Sequence, residues 1–443
     1  MTYDPVFALE EDEDRSTQVT QLQTQFQDSL NLNQTIHHSE HLAIPIPIPA
    51  TTQRQRRRSS NRNTPQHRLG SSYEIELSDS YTKANSSLNI PSLSTIQSSS
   101  DLTAETVRPS AGPKASDFQP IIVLGEGSYG KVILVRENKT GKLYAMKKLK
   151  KASLIIQTKT IERTMTEKTI LERVKHPNIV KLYYSFQDHE RLYLILEYIQ
   201  GGELFQHLQI EKFVSETDAA VHLSQIVLAL QHLHSIGIIY RDLKPENCLL
   251  DTNGFLILTD FGLSKESLSE DDRCTSLIGT PEYMAPEILQ DVPYDNAVDF
   301  WSLGCVMHDM LTGGPPFTGN SNKIIYDKIT TKKLKLPFYL SLDAKDLIQR
   351  LLQKNPQKRL TNWETLQKHR FFRNVDWGKI ASQDFIPPIV PIITDPILAE
   401  NFDQEFTNKI ITPLGSYDGQ VIDGENPFKG FSYVDNSFKD IYG

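Results

Sequence analysis

Cysteine is scarce in this chain. Its 443 residues include three, at 248, 274 and 305, and no two of them form a C-x-x-C pair. That argues against a disulfide framework or a cysteine zinc site, and a reducing compartment is expected. No apolar run approaches the ~20 residues that a membrane-spanning helix requires. The opening Met1-Thr2-Tyr3-Asp4 lacks the basic-then-apolar start of a secretion signal. The expected setting is the cytoplasm, with the nucleus as a second location, and no membrane span is expected. Hydrophobic residues make up only 38% of the chain. That is low for a chain folded throughout, so part of the length is expected to stay unfolded.

A basic folded body, the usual mark of a nucleic-acid enzyme, is also missing. The net charge is -8 and unevenly spread: residues 1–14 carry six acids and no base, and residues 51–70 carry six arginines and no acid. From Arg373 to the end there are 11 acids and 5 bases. No nucleic-acid partner is expected.

Residues 1–117 read as a disordered, low-complexity region. They run through glutamine-rich (18–27), Ile-Pro alternating (44–49), arginine-rich (54–58) and serine-rich (71–100) stretches, none able to build a core. His37, His38 and His41 lie there among polar residues and read as solvated rather than metal-binding. The character changes at Phe118. Phe118–Leu124, Lys131–Arg136 and Lys142–Lys150 read as strands, Ile161–Val174 has helical spacing, and Leu192–Leu196 reads as a buried strand. After Gly201-Gly202 the pattern turns helical. Ser215 and Asp218 suit a capping box. Cys248–Leu250 and Phe255–Leu258 flank Asp251-Thr252-Asn253-Gly254, a hairpin signal. Helical segments continue to about Phe372, and residues 373–443 read as a tail wrapped over the body.

Gly125-Glu126-Gly127-Ser128-Tyr129-Gly130-Lys131-Val132 fits G-x-G-x-x-G-x-V. Glycines let backbone N–H groups approach phosphates closely. A dinucleotide fold places such a loop between strand and helix; here it joins two strands, which leaves a phosphate-covering hairpin or a plain Gly-rich turn. Lys147 closes an apolar strand 17 residues past Gly130. It is either a solvated strand end or a phosphate partner, and Glu167 on the following helix could pair with it. Tyr240-Arg241-Asp242-Leu243-Lys244-Pro245-Glu246-Asn247 is more specific. Asp242 can accept a proton from a hydroxyl, Lys244 can neutralise a transferring phosphoryl group, and Asn247 can hold a magnesium ion. Thirteen residues on, Asp260-Phe261-Gly262 offers a second magnesium ligand, and two oxygen ligands from separate loops suit that ion.

With these motifs the chain resembles the eukaryotic protein kinases over about Phe118–Phe372. Ala285-Pro286-Glu287, Asp299-Phe300-Trp301-Ser302-Leu303-Gly304 and Arg359 strengthen the resemblance. It implies an α+β, two-lobed protein-kinase fold: a small β-rich lobe with one main helix, a larger mostly α-helical lobe, and flanking disordered region and tail. It implies ATP and Mg2+ as cofactors and transfer of the γ-phosphate to protein substrates. Catalytic roles are implied for Asp242, Lys244, Lys147, Glu167 and Thr280, with Lys244 and Thr280 marking the serine/threonine subclass. Leu124, Gly125, Glu126, Gly127, Ser128, Tyr129, Gly130, Val132, Ala145 and Lys147 are expected around ATP. Leu196 is the implied gatekeeper, Glu197 and Ile199 the backbone partners of adenine, and Glu203 the ribose contact. Asn247 and Asp260 are the implied metal ligands, and Glu287 with Arg359 a buried ion pair.

Tyr240, where most of these enzymes have histidine, is typical of the AGC group, nearest its ribosomal-protein-kinase and protein-kinase-B branches. Asn401-Phe402-Asp403, Thr412-Pro413 and Phe428-Lys429-Gly430-Phe431-Ser432-Tyr433 resemble that group's tail motifs. By this resemblance Ser276 (or neighbouring Thr275), Thr412 and Ser432 are regulatory phosphorylation sites. Upstream activating kinases are the implied partners, with Arg241, Lys265 and Arg163 placed to receive the Ser276 phosphate. Glu203, Glu246 and Asp309 match acidic positions that bind upstream arginines of substrates. Arg54-Gln55-Arg56-Arg57-Arg58-Ser59 is itself R-x-R-x-x-S: an autophosphorylation or pseudosubstrate-like element, or a solvated basic run. Phe7-Ala8-Leu9-Glu10-Glu11 is faintly similar to the docking motif of ribosomal-protein kinases. A monomer is expected. A nucleotide-binding scaffold without turnover is the alternative, opposed by the intact Lys147, Asp242, Asn247 and Asp260.

Overall fold

The computed structural model describes residues 112–127, 130–156, 158–211, 214–266, 274, 279–290, 292–411 and 426–438. The readings made on residues 1–111, Ser128, Tyr129, Thr275, Ser276 and Thr412 lie outside these residues. Ten strands are described: β1 (Phe118–Gly127), β2 (Gly130–Glu137), β3 (Leu143–Lys150), β4 (Leu182–Gln187), β5 (Arg191–Leu196), β6 (Ile238–Ile239), β7 (Cys248–Leu250), β8 (Leu256–Leu258), β9 (Lys265–Glu266) and β10 (Tyr433–Val434). The small lobe is one antiparallel sheet in the order β1-β2-β3-β5-β4-β10, with α1 (Lys151–Ile155) and α2 (Thr158–Arg173) joining β3 to β4.

Strand alternation gives this sheet two different faces. Tyr144 and Met146 of β3 join Phe118, Ile133, Tyr184 and Tyr193 in an aromatic-rich cluster on the outer face. Ala145 and Leu134 sit on the other face with Leu124 and Tyr198, and Lys147 follows Ala145 by two positions. β1 and β2 form a hairpin in which Gly127 faces Gly130. The expected strands are all present. β4 and α1 were not foreseen, because Leu182-Tyr183-Tyr184-Ser185-Phe186 shows no alternation and Lys151–Ile155 is one turn long. α2 begins at Thr158, three residues before the spacing signal.

The large lobe is helical: α3 (Leu204–Glu211), α4 (Glu216–Ser235), α5 (Pro286–Leu289), α6 (Ala297–Thr312), α7 (Asn322–Thr331), α8 (Leu342–Leu351) and α9 (Trp363–Gln367). Ser215 caps α4, its Oγ accepting from the Asp218 N–H at 3.0 Å while bonding the Asp218 carboxylate at 2.7 Å. β7 and β8 pair around the expected turn, where Gly254 takes φ +89°. α6 is buried almost throughout and crosses α8 closely at Gly304, where a Cβ would lie 2.8 Å from that of Leu351. The implied Glu287–Arg359 pair forms as a two-pronged contact at 2.5 and 2.9 Å with the Arg359 side chain fully buried. Two short helices, α10 (Trp377–Ser382) and α11 (Gln404–Thr407), follow in the tail. Among the described residues no helix is long and apolar enough to cross a membrane.

Candidate active site

A cleft of about 730 Å³ opens between the sheet and the helices below it. Its roof is the β1–β2 hairpin, through Leu124, Gly125, Glu126, Gly127, Gly130 and Val132, with Ala145 and Lys147 of β3 beside them. Leu196, Glu197, Ile199 and Glu203 form its back edge. Asp242, Lys244 and Asp260 reach in from the large lobe. A Cβ on Gly130 would lie 2.0 Å from the Lys148 carbonyl oxygen, so glycine is required where β2 meets β3. The Glu197 N–H donates to the Lys181 carbonyl at 2.9 Å.

Lys147 ties the lobes together. Its Nζ lies 2.6 Å from Glu167 Oε1 on α2 and 3.0 Å from Asp260 Oδ1. Burial pulls the pKa of Lys147 down, but the carboxylates of Asp260 and Glu167 outweigh it and hold the ammonium above its ordinary value. Lys147 in turn holds the Asp260 carboxyl below the usual range. Burial pushes Glu167 up, with Lys147 offsetting part of the rise. Asp260 sits at φ +53°, and its Oδ1 also accepts from the Gly262 N–H at 3.3 Å.

The loop from Tyr240 to Asn247 is fixed from beneath. Asp299 on α6 accepts from the Tyr240 N–H at 2.9 Å, the Arg241 N–H at 2.7 Å and His234 Nε2 at 2.7 Å. These bonds hold Arg241 at φ +64°, a conformation costly for a side chain with a Cβ. Asp242 is then presented at the cleft floor. Asn247 Nδ2 donates to its carbonyl at 2.7 Å and its Oδ2 at 2.9 Å, and Lys244 Nζ lies 3.1 Å from the same Oδ2. Burial raises the pKa of Asp242, and Lys244 and Asn247 counter part of that. Thr280 is half-buried and shares a small recess with Arg241 and Asp242.

Two oxygens of this arrangement suit a magnesium ion. The Asp260 carboxyl is kept ionised by Lys147, and its side chain is half exposed to the cleft. Asn247 engages its amide nitrogen with Asp242, leaving the amide oxygen as the ligand atom. Among the described residues no group of three or more His, Cys, Asp and Glu could hold a metal by itself. Magnesium needs no such cage, since phosphate and water complete its shell.

Glu203, Glu246 and Asp403 also line the cleft. Burial raises the pKa of Glu203, and the charges of Glu246 and Asp403 raise it further. Burial likewise raises Asp309, which is only 8% exposed and accepts from the Tyr283 hydroxyl at 2.6 Å. Of the residues expected to receive a phosphate, Arg163 lines the cleft, and Arg241 Nε donates to the Leu263 carbonyl at 2.7 Å. Lys265 lies on β9.

The tail packs beside the cleft, as the resemblance of Asn401-Phe402-Asp403 to a tail segment beside the ATP pocket implies. Phe402 stacks on Tyr198 with centroids 5.9 Å apart, and Phe402 and Phe406 both line the cleft. Lys409 reaches Glu126 of the hairpin at 2.8 Å. Lys168, next to Glu167 on α2, donates to the Gly430 carbonyl at 3.3 Å. Phe428 and Phe431 are fully buried, Ser185 Oγ donates to the Phe431 carbonyl at 2.6 Å, and Ser432 is exposed. Phe402 precedes the Asp403 cap of α11 and Phe406 lies within that helix, so nearness to Asn401-Phe402-Asp403 is the signal that could have found Phe406. Nothing local marks Lys409 or Lys168.

A family model described as the protein kinase domain matches residues 118–372. The chain is 42% identical over 394 residues to the serine/threonine-protein kinase YPK3 of Saccharomyces cerevisiae, covering 72% of this chain and 74% of that one. It is 46% identical over 332 residues to a ribosomal protein S6 kinase beta of Caenorhabditis elegans, covering 73% of this chain and 60% of that one. A RAC family serine/threonine-protein kinase homolog of Dictyostelium discoideum is 42% identical over 326 residues, 73% of each chain. The chain therefore belongs to the protein kinase family, as a serine/threonine kinase of AGC type.

Proposed function

We propose that this kinase transfers the γ-phosphate of ATP to serine or threonine hydroxyls that follow arginines, with Asp242 as the base. The observation that carries this reading is the reach of Lys147 to both Glu167 and Asp260, at 2.6 and 3.0 Å. A cation bridging the two lobes across the cleft belongs to an assembled site, as positioning and charge stabilisation demand. ATP would be held under the β1–β2 hairpin by Ala145, Leu196 and the chain at Glu197 and Ile199, with Lys147 available to its phosphates. Asp260 and Asn247 would hold magnesium, which would supply charge neutralisation at the phosphates. Asp242 orients the substrate hydroxyl and takes its proton. Lys244, 3.1 Å from Asp242, balances charge on the phosphoryl group.

Glu203 and Glu246 select the arginines. Asp309 stands behind them, turned toward Tyr283. Phosphate on Ser276 pairs with Arg241, Lys265 and Arg163, and with phosphates on Thr412 and Ser432 it sets activity. Upstream kinases supply these groups, and the enzyme acts as a monomer in the cytoplasm and nucleus. The test is phosphorylation of a peptide spanning residues 52–62 by the purified full chain, against the same peptide with its arginines replaced by alanine. Phosphate on Ser59 or Ser60 of the first and little on the second supports the reading. Equal rates remove the arginine selectivity, and no transfer to either removes the activity on this substrate class.

A further inference from the structure

The tail does not end its contacts at Tyr433. β10 pairs antiparallel with the edge of β4, Tyr433 opposite Ser185 and Val434 opposite Tyr184. Strand alternation turns Tyr433 to the inner cluster and Val434 to the outer one. The chain thus crosses the sheet edge. Phe428 and Phe431 are buried on the inner side, and Phe438, 8% exposed, on the outer side. Its ring meets Tyr183 nearly edge-on at 5.3 Å and Tyr184 at 5.4 Å, with Lys142 Nζ 5.3 Å from its centroid. Asp435 stands between the two anchors. Its N–H donates to the Tyr183 carbonyl at 2.9 Å, and its carboxylate takes Lys175 at 2.8 Å and the Ser437 N–H at 3.0 Å.

We propose that the outer face of the sheet carries a second tail-docking pocket, formed by Tyr183 and Tyr184 over Phe118 and Tyr144. Its ligand is a two-residue strand followed by the 3-10 turn Asn436–Phe438, with an aromatic side chain seven residues after Phe431 and a carboxylate midway. The two pockets lie on opposite faces of one edge strand. Once one is filled, the linked segment is held at high effective concentration near the other. Phe438 therefore helps hold Phe428 and Phe431 in place.

Hydrogen exchange of the full chain, read by mass spectrometry, tests this with Phe438→Ala and Phe438→Leu. In Phe438→Ala, amides of residues 426–435 and of β4 are expected to exchange at least about tenfold faster, with β1–β3 unchanged. Phe438→Leu retains most of the protection. Unchanged exchange over 426–435 in Phe438→Ala overturns the proposal. So does a loss of protection shared equally by β1, β2 and β3, which marks Phe438 as a core residue of the lobe instead of a docked ligand.

Discussion

Asp299 and Arg241 are held together by a 2.7 Å hydrogen bond from the Arg241 N–H to the Asp299 carboxylate, at the point where Arg241 adopts φ +64°. The bond sets the direction in which the next residue, Asp242, leaves the chain. Asp299→Asn replaces one carboxylate oxygen with a donor that faces another donor. The expected cost is about 3 kcal/mol of stability, from one buried group left unpaired and a weaker hold on a strained residue. Because the strain sits next to the proposed base, kcat is expected to fall more than KM rises. Denaturant unfolding and steady-state kinetics check both.

Lys147 and Glu167 are expected to behave as a unit. Lys147→Met should lower kcat/KM roughly 100-fold or more, the scale of losing a fixed charge at a phosphoryl site. Glu167→Gln should cost less, because Asp260 still holds the ammonium. The double variant should be little worse than Lys147→Met alone, and a double-mutant cycle measures that coupling. Full additivity would deny that the pair works through Lys147.

With Asp242 as the proposed base, the acid limb of the pH–rate profile is expected to follow it. A proton acceptor must be ionised, so activity falls as pH drops through its pKa. Burial raises that pKa, so the limb should lie above the ordinary aspartate value of about 3.9. Lys244 pulls the pKa down. Lys244→Ala should therefore move the limb to higher pH as well as lower kcat. A fall in kcat with the limb unmoved would separate Lys244 from Asp242.

Ser276→Ala is expected to remove most activity with an unchanged thermal unfolding curve, if a phosphate there pairs with Arg241, Lys265 and Arg163. Full activity with no phosphate on Thr275, read by mass spectrometry, contradicts it. For substrate choice, Glu246→Gln should raise KM for the arginine-bearing peptide of residues 52–62 by up to about fivefold, one lost exposed charge contact, and leave the alanine-substituted peptide unaffected.

Much of this site was legible in the sequence because its pieces are local. Gly125–Gly130, Tyr240–Asn247 and Asp260–Gly262 each carry their chemistry within a few residues. The cleft lining at Leu124, Val132 and Ala145 follows from strand alternation. What escaped is what depends on distant partners. β10 is two residues long and has no periodicity to read, and it exists because Ser185 and Tyr184, some 250 residues earlier, offer an open strand edge. The bonds from Asp299 to the backbone of Tyr240 and Arg241 join residues 58 or 59 positions apart through main-chain groups common to every residue type. The positive φ of Arg241 and Asp260 was equally hidden, since neither is glycine. Asp309 was legible as an acid but not as one turned inward to Tyr283.

The most direct measurement is phosphate transfer from ATP to an arginine-bearing serine peptide by the full chain and by its Asp242→Asn variant at matched concentration. The expected result is robust transfer by the first and a kcat lower by at least about 100-fold in the second, with folding intact. Wild-type transfer by Asp242→Asn would contradict the assignment of Asp242 as the base.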